Sequence, residues 1–531
     1  MASVASPGTT PGKAGPVPIA PEDVAALPTR NTIFVVIGIM MASLLQILDT
    51  TIANVAIPHM QASLGATPDQ ISWVLTSYIV ASAVAMPMTG WLADRVGSRR
   101  LFIISTGSFV AASMLCGMAQ NITQIVLFRA LQGASGAFIS PLSQSAMLDI
   151  SKPSRQSQMM AIWGMGIMIG PILGPIIGGT LTESWNWRWV FYVNVPLGAI
   201  ALFILITGLP SRAVKRRRFD MFGFSMIAIA IASLQLMLDR GNHLDWFDSL
   251  EIWIYAAAMV SAVWVGAIHF TTTTKQTLFN HALFANRNFV IALFFMIALG
   301  LVMFATMALL PPMLQRLFGY SVVDTGWALM PRGVGTLISM QLSSILLRLG
   351  FDPRKLVMTG FLLAMLSFWQ MAGWSLEMSS SYVVTSGFIQ GIGMGLCFIP
   401  LNAVAFATLP PALRTEGSSL LNLFRSLGAS VGISVTTALL ARNLQQSHSD
   451  LSAHVTASVT DLVDFSSLDR FQQLGTTALS IVDAQVNRQA AMIAYIDNFH
   501  LMMLVSLAAV PLALLLRQVG GKPSADGDIP H

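Results

Sequence analysis

Two ionisable residues in this 531-residue chain stand inside apolar runs, where charge is costly. Asp49 lies in Leu48-Asp49-Thr50-Thr51-Ile52-Ala53-Asn54-Val55-Ala56-Ile57-Pro58, and Arg129 in Leu127-Phe128-Arg129-Ala130-Leu131-Gln132-Gly133-Ala134-Ser135-Gly136. A carboxylate surrounded by apolar residues is a functional candidate unless it is paired or wetted. Burial favours the neutral form of an acid and a nearby cation favours the charged form, so an acid that alternates between two such settings takes up and releases a proton. That is the chemistry of coupling to a proton gradient. A guanidinium does not readily lose its own proton, which suits Arg129 to holding or expelling a proton on a neighbouring acid. The plainer readings are an Asp49 that caps the outer end of its helix and an Arg129 that snorkels to an interface. Arg425 repeats the pattern later in the chain, and Arg332, after Pro331, reads as interfacial.

The elements that must hold these residues are membrane helices. The chain is 54% hydrophobic and 10% charged, with a mean hydropathy of +0.68, against roughly 25% charged residues in soluble domains. About fourteen apolar runs reach the length of about 20 residues that a spanning helix needs: 31-52, 70-90, 101-119, 124-146, 158-181, 190-208, 221-239, 251-270, 289-311, 326-347, 355-373, 383-408, 418-441 and 493-516. Runs this long and this continuously apolar are helices rather than barrel strands. In that frame Asp49 sits in the outer part of span 1 and Arg129 early in span 4. An even number of spans puts both termini on one side. With that side cytoplasmic, 20 of the 29 Lys and Arg residues fall inside and six outside, as retention of basic loops in the cytoplasm requires.

Residues 1-30 lack the apolar centre of a secretory signal and are expected to form a disordered cytoplasmic tail; 517-531 are a second tail. The stretch 442-492 is expected as the one long external loop, either solvated or folded into a short amphipathic hairpin on which a partner docks. Cys116 and Cys397 fall within spans and read as small apolar packers, not a disulfide or metal site. The chain lacks a Gly-x-x-x-x-Gly-Lys-[Ser/Thr] loop, so ATP hydrolysis by this polypeptide is not expected. No metal, cofactor or nucleic-acid partner is expected, and no nucleophile, base and oxyanion arrangement points to an enzyme.

Two further segments are chemically specific. Gly90-Trp91-Leu92-Ala93-Asp94-Arg95-Val96-Gly97-Ser98-Arg99-Arg100 joins spans 2 and 3. Gly90 and Gly97 permit tight backbone turns, Asp94 can accept hydrogen bonds, and Arg95, Arg99 and Arg100 anchor the cytoplasmic face. A loop that served topology alone would need neither the acid nor the spaced glycines. Span 5 carries Gly164, Gly166, Gly170, Pro171, Gly174, Pro175, Gly178 and Gly179. Gly166, Gly170, Gly174 and Gly178 recur every four residues and make a smooth stripe for close helix contact. Pro171 and Pro175 remove ladder donors and favour bending. Static packing explains the glycines equally well.

These segments resemble the major facilitator superfamily, specifically its fourteen-span drug:proton antiporters of the EmrB/QacA type. Gly90 to Arg100 is similar to the family's loop 2-3 signature, Asp49 to Pro58 to its helix 1 signature, Leu127 to Gly136 to its helix 4 signature, and Gly164 to Gly179 to its antiporter signature. The likeness continues through Trp187 to Pro196, Gln390 to Leu401 and Leu420 to Arg425. It implies an all-α membrane protein with the major facilitator fold: a six-helix bundle over 31-208, two additional transmembrane helices within 209-288, and a second six-helix bundle over 289-516. By resemblance, spans 1, 4, 9 and 12 line a central cavity, with Asn54, Gln132, Gln390, Asn402 and Arg425 as candidate lining residues. Asp94 would latch near Gly417 and Ser418, and Arg129 would tune proton release from Asp49. The second-half counterpart of the loop signature, Arg348 to Lys355, is degenerate. The implied function is proton-driven efflux of hydrophobic or amphipathic drugs across the bacterial cytoplasmic membrane, with a periplasmic adaptor protein and an outer-membrane channel as implied partners. The alternatives are transport of one dedicated solute, such as a siderophore, fatty acid or antibiotic, and a receptor that uses the fold only to bind partners.

Overall fold

The computed structural model describes residues 25-29, 31-212, 214, 218-273, 276-407, 409-454 and 476-516. Most of the two expected tails therefore lies outside the described residues. The helices are α1 (Thr32–Leu64), α2 (Pro68–Ala85), α3 (Thr89–Val96), α4 (Ser98–Met118), α5 (Ile122–Gly136), α6 (Ile139–Asp149), α7 (Gln156–Ser184), α8 (Trp189–Tyr192) and α9 (Asn194–Gly208) in the first half. Then come α10 (Met221–Arg240), α11 (Leu250–Thr272), the short α12 (His281–Ala285), α13 (Arg287–Phe318), α14 (Val322–Arg348), α15 (Pro353–Ala372), α16 (Ser380–Ala407), α17 (Arg414–His454) and α18 (Thr476–Leu512). Short polar signals start them. Asn31, Asn121, Asn286 and Ser321 accept backbone N–H bonds at the starts of α1, α5, α13 and α14, and Thr67 with Gln70 forms a capping box ahead of α2, so donors that the first turn leaves unbonded find partners.

Thirteen helical segments among the described residues are long and apolar enough to cross a membrane. The expected span that falls short on apolarity is α14, which nonetheless runs 27 residues; Asp324, Arg332 and several Ser, Thr and Gly residues dilute it. Two boundaries differ from the sequence expectation. First, α1 does not stop near residue 52 but continues through Pro58 to Leu64, which moves Asp49 from the outer part of its span to the middle of a 33-residue helix. Second, much of 442-492 is helical, because α17 and α18 both run into it. They extend as an antiparallel pair tied by Asn443 to Asp497 at 3.2 Å and His448 to Asp483 at 3.1 Å; residues 455-475 lie outside the described set.

In the N-terminal bundle α1 packs on α7 and α9, α2 on α5, and α4 on α5 and α9; in the C-terminal bundle α13 packs on α17, α14 on α16, and α15 on α16 and α18. The bundles meet along α7 and α14. The extra pair differs within itself: α10 packs on α2 and α17, one from each bundle, whereas α11 packs on α10 and leaves Trp253, Ile254, Val263 and Trp264 more than half exposed, a surface suited to lipid.

The glycine stripe of α7 faces α1. A methyl group added at Gly166, Gly170 or Gly178 would fall 2.7, 2.8 or 3.2 Å from side-chain atoms of Met40, Ile47 and Ile52, and one at Gly174 would collide with Thr51. Gly164 lies on another face, against Met340 and Phe398 of the C-terminal bundle. The helix runs unbroken through Pro171 and Pro175. Overpacking of such a contact costs about 1–3 kcal/mol. Gly174→Leu is therefore expected to lower the thermal unfolding midpoint of the detergent-purified protein, while Leu173→Ala, at a 40% exposed position, leaves it near the original. Equal midpoints would show that the stripe is not a tight contact.

Candidate functional site

Asp49 and Arg129 meet although 80 residues separate them. Arg129 Nη1 donates to Asp49 Oδ2 at 2.6 Å, and both residues are 0% exposed. Neither plain reading survives this geometry, since Asp49 is in mid-helix with its oxygens bonded to side chains, and Arg129 is directed inward. Gln132 Nε2 and Asn194 Nδ2 both donate to Asp49 Oδ1 at 2.8 Å. Arg129 also donates to Gln132 Oε1 at 2.9 Å and, through Nε, to the Val74 carbonyl at 3.2 Å. Its guanidinium lies 4.4 Å from the Tyr78 ring centroid and 5.7 Å from that of Phe191, where the ring faces attract a cation. Asn194 uses its second N–H on Ser113 Oγ at 3.0 Å, and Ser113 donates to the Phe191 carbonyl at 2.9 Å.

Donors from two helices, Arg129 and Gln132 of α5 and Asn194 of α9, thus converge on the single carboxylate of α1. Gln132 and Arg129 are one turn apart on α5, which places them on the same face. The helix break between α8 and α9 puts Asn194 at the first position of α9, where its side chain reaches inward. All three groups bonding Asp49 are donors. A carboxylate accepts all of them, while a neutral carboxyl must place its own proton and gives up at least one. The pair is also mutually dependent: removing one partner of a buried ion pair costs about 3–5 kcal/mol because the other charge is left uncompensated.

A second polar layer lies where the basic loops gather and joins the two bundles. Gln144 of α6 donates to Asn402 of α16 and accepts from Ser418 Oγ at 2.6 Å and Asn422 Nδ2 at 2.8 Å on α17. Ser145 and Thr415 hydroxyls are 2.8 Å apart, and Ser419 donates to the Met86 carbonyl at 2.6 Å. Arg414 reaches the Leu148 carbonyl at 3.3 Å and Asp149 Oδ1 at 3.4 Å, and Arg212 bonds the same Asp149 oxygen. These contacts close the basic-loop end.

The segment 90-100, expected as a loop, is helical in α3 up to Val96 and again from Ser98 in α4, with the turn confined to Gly97; it borders this layer. Gly90 presses on α17, where an added methyl would come 3.0 Å from Glu416 Cβ. Gly97 has φ +95°, a conformation that favours glycine. Arg95 stands 5.2 Å from the Trp91 ring centroid, Arg99 donates to the Ile206 carbonyl, and Arg100 is exposed. Ser418, expected near Asp94, spends its hydroxyl on Gln144. Of the candidate lining residues, Gln132 joins the Asp49 cluster and Asn402 the interbundle layer. Gln390 is buried in the C-terminal bundle, donating to Thr306 Oγ1 at 3.1 Å. Asn54 is exposed on α1. Asn194, Ser113, Gln144 and Asp149 were not singled out from sequence; each is a polar residue in or at the end of an apolar run, the one signal that marks them.

The model of the Major Facilitator Superfamily matches residues 39–433. The multidrug export protein EmrB of Escherichia coli strain K12 is 36% identical over 80% of this chain and 83% of its own length. The fatty acid resistance protein FarB of Neisseria gonorrhoeae is 33% identical over 91% of this chain and 96% of its own. Among solved structures, the proton:xylose symporter XylE has the same fold with a TM-score of 0.58, 13% identity and coverage of 91% of this chain and 99% of that one. A buried acid held by donors from two other helices, two bundles meeting along α7 and α14, and these relatives place the chain in the Major Facilitator Superfamily, as a multi-pass membrane transporter of the EmrB/QacA type.

Proposed function

We propose that the chain is a proton-coupled exporter of hydrophobic or amphipathic drugs that works by alternating access in the bacterial cytoplasmic membrane, with both termini and the basic loops cytoplasmic. The observation that carries the reading is the full acceptance of three donors by buried Asp49. A proton arriving on Asp49 removes a bond from Arg129, Gln132 or Asn194 and so loosens α1 against α5 and α9. Because α7 is packed against α1 through its glycines and against α14 through its other face, a shift of α1 is transmitted to the bundle interface. In this reading Gly90, Asp94, Arg95, Gly97, Arg99 and Arg100 form the cytoplasmic latch, beside the interbundle contacts of Gln144 and Asp149. Kinship with multidrug export proteins supports the substrate class. The paired ends of α17 and α18, residues 442-454 and 476-492, are the surface we assign to a periplasmic adaptor, which would pass substrate to an outer-membrane channel.

The energetics suffice. A potential of ~150 mV does about 3.5 kcal/mol of work per net charge moved, which sustains roughly a few-hundred-fold gradient at about 1.4 kcal/mol per tenfold.

In proteoliposomes with an imposed pH gradient, Asp49→Asn is expected to reduce ethidium transport at least tenfold while ethidium still binds. Asp49→Glu keeps the titrating group and retains part of the transport. Because Asp49→Asn leaves Arg129 without its counter-ion, the unfolding midpoint is measured alongside; gradient-driven transport at the original rate in a folded Asp49→Asn protein overturns the coupling role. The latch makes a separate prediction. With Cys116 and Cys397 replaced by Ala, the pair Ser145→Cys and Thr415→Cys is expected to cross-link on oxidation and stop transport until reduced. A cross-linked protein that still transports would show that the cytoplasmic end need not open.

A further inference from the structure

Asp49 holds one part of Arg129, and α2 holds another. Arg129 Nε donates to the Val74 carbonyl at 3.2 Å, and the guanidinium carbon stands 4.4 Å from the centroid of the Tyr78 ring. Val74 and Tyr78 are one turn apart and share a face of α2, as Arg129, Gly133 and Gly136 share a face of α5. The two faces are pressed together. A methyl group added at Gly133 would strike the Tyr78 carbonyl oxygen, and one at Gly136 would come 3.3 Å from the Tyr78 hydroxyl. Tyr78 is 4% exposed, and its hydroxyl meets no hydrogen-bond partner among the described residues. The ring face is therefore the part of Tyr78 that serves Arg129.

That face matters most once Asp49 has taken a proton. Arg129 then remains a cation while its counter-ion is gone, and a buried charge without compensation is costly. The titratable groups around the pair are Tyr78 of α2 and Cys116 of α4, both uncharged at neutral pH; α8 and α9 present Phe191 and Asn194. A ring face attracts a cation most strongly when the cation is stripped of water. The Tyr78 ring is the nearer of the two, since that of Phe191 stands 5.7 Å away. The second bundle holds an arginine by the same means without an acid: Arg425 Nη2 donates to Asn422 Oδ1 at 2.9 Å, and its guanidinium lies 5.8 Å from the Phe398 ring centroid. From Tyr78, α2 leads straight to the cytoplasmic end. It passes through a short turn at Met86–Met88 into α3, and the Met86 carbonyl accepts the Ser419 hydroxyl of α17 at 2.6 Å.

We propose that Tyr78 is a positioning residue for proton coupling: with the Val74 carbonyl it forms a second seat, on α2, that takes over the Arg129 guanidinium when Asp49 is protonated, and so passes the state of Asp49 along α2 to its contact with α17. The proposal rests on the coupling reading above and supplies the partner of Arg129 in the protonated state.

The test titrates Asp49 in the purified full chain in phosphatidylcholine nanodiscs, following the infrared carboxyl stretch of its protonated form, which is assigned by its loss in Asp49→Asn. Tyr78→Phe keeps the ring face and should leave the midpoint where it was. Monofluoro- and trifluorophenylalanine in place of Tyr78 drain negative charge from the ring face with little change of shape, and Tyr78→Leu removes the face. Because the protonated state leans on the ring more than the ionised state does, the midpoint is expected to fall stepwise along this series, by about half to one pH unit in all. A midpoint that stays in place or rises across the fluorinated rings overturns the proposal, and those rings keep the result within reach if Tyr78→Leu does not fold. A purely structural role for Tyr78 would lower the unfolding midpoint with no graded shift in the titration. Ethidium transport separates the two readings: gradient-driven transport with a ring-independent titration removes the seat on α2 alone, whereas a ring-dependent titration with no gradient-driven transport removes the coupling reading.

Discussion

The contact between Asp49 and Arg129 is the constraint around which the N-terminal half is built. Neither charge is tolerable alone at that depth, and together they still need further bonds to occupy the remaining carboxylate oxygen and guanidinium hydrogens. Gln132, Asn194 and the Val74 carbonyl supply those bonds, so α5 and α9 are held to α1, and α2 to α5, by polar contacts as well as by packing. In lipid, helices gain little from burying apolar side chains against each other, since lipid tails are as apolar as leucine. Specific arrangement must come from close packing and polar bonds, and the N-terminal bundle uses both.

These two means are distributed by task. The glycine stripe of α7 makes a contact with α1 that is tight and without polar side chains on the glycine side, and such a surface has no alternative partner to exchange with. The interbundle layer around Gln144 is different. Its hydroxyls and amides bond one another across the bundles, and each of these groups can bond water equally well once the bundles separate, so opening carries a small net cost per bond. Rigid coupling inside a bundle and exchangeable bonds between bundles are what a rocking mechanism requires.

Much of this was legible from residue types. A lone acid and a lone arginine within apolar runs pointed to each other because few other partners exist in a membrane, and the four-residue glycine spacing pointed to a close helix contact. The depth of Asp49 was not legible, because Pro58 and the polar residues around Asn54 and His59 resemble a helix end, yet a long helix whose backbone bonds are satisfied locally continues through them. Asn194 was hidden for another reason: its sequence neighbourhood is apolar and its partners lie 81 and 145 residues away, so only the packing of α4, α8 and α9 reveals its use. Gln144 and Asp149 were missed because interbundle contacts depend on how the bundles lean, which composition does not record. For 442-492 the polarity and the helix-like spacing leave a solvated loop and an amphipathic hairpin equally open, and the described parts, 442-454 and 476-492, are helix extended beyond the apolar stretch.

The position of α10 changes what the transporter is as a mechanical object. It touches α2 through Asp239 and Thr76 and α17 through Leu238 and Ser434, thereby bridging one flank of the molecule, while α7 and α14 bridge another. A shell of two bundles without such a strap would have a seam through which acyl chains could seep whenever the halves part. The α10 strap covers that flank of the seam, and its two cross-bonds, one to each bundle, are contacts that must stretch or exchange when the halves part.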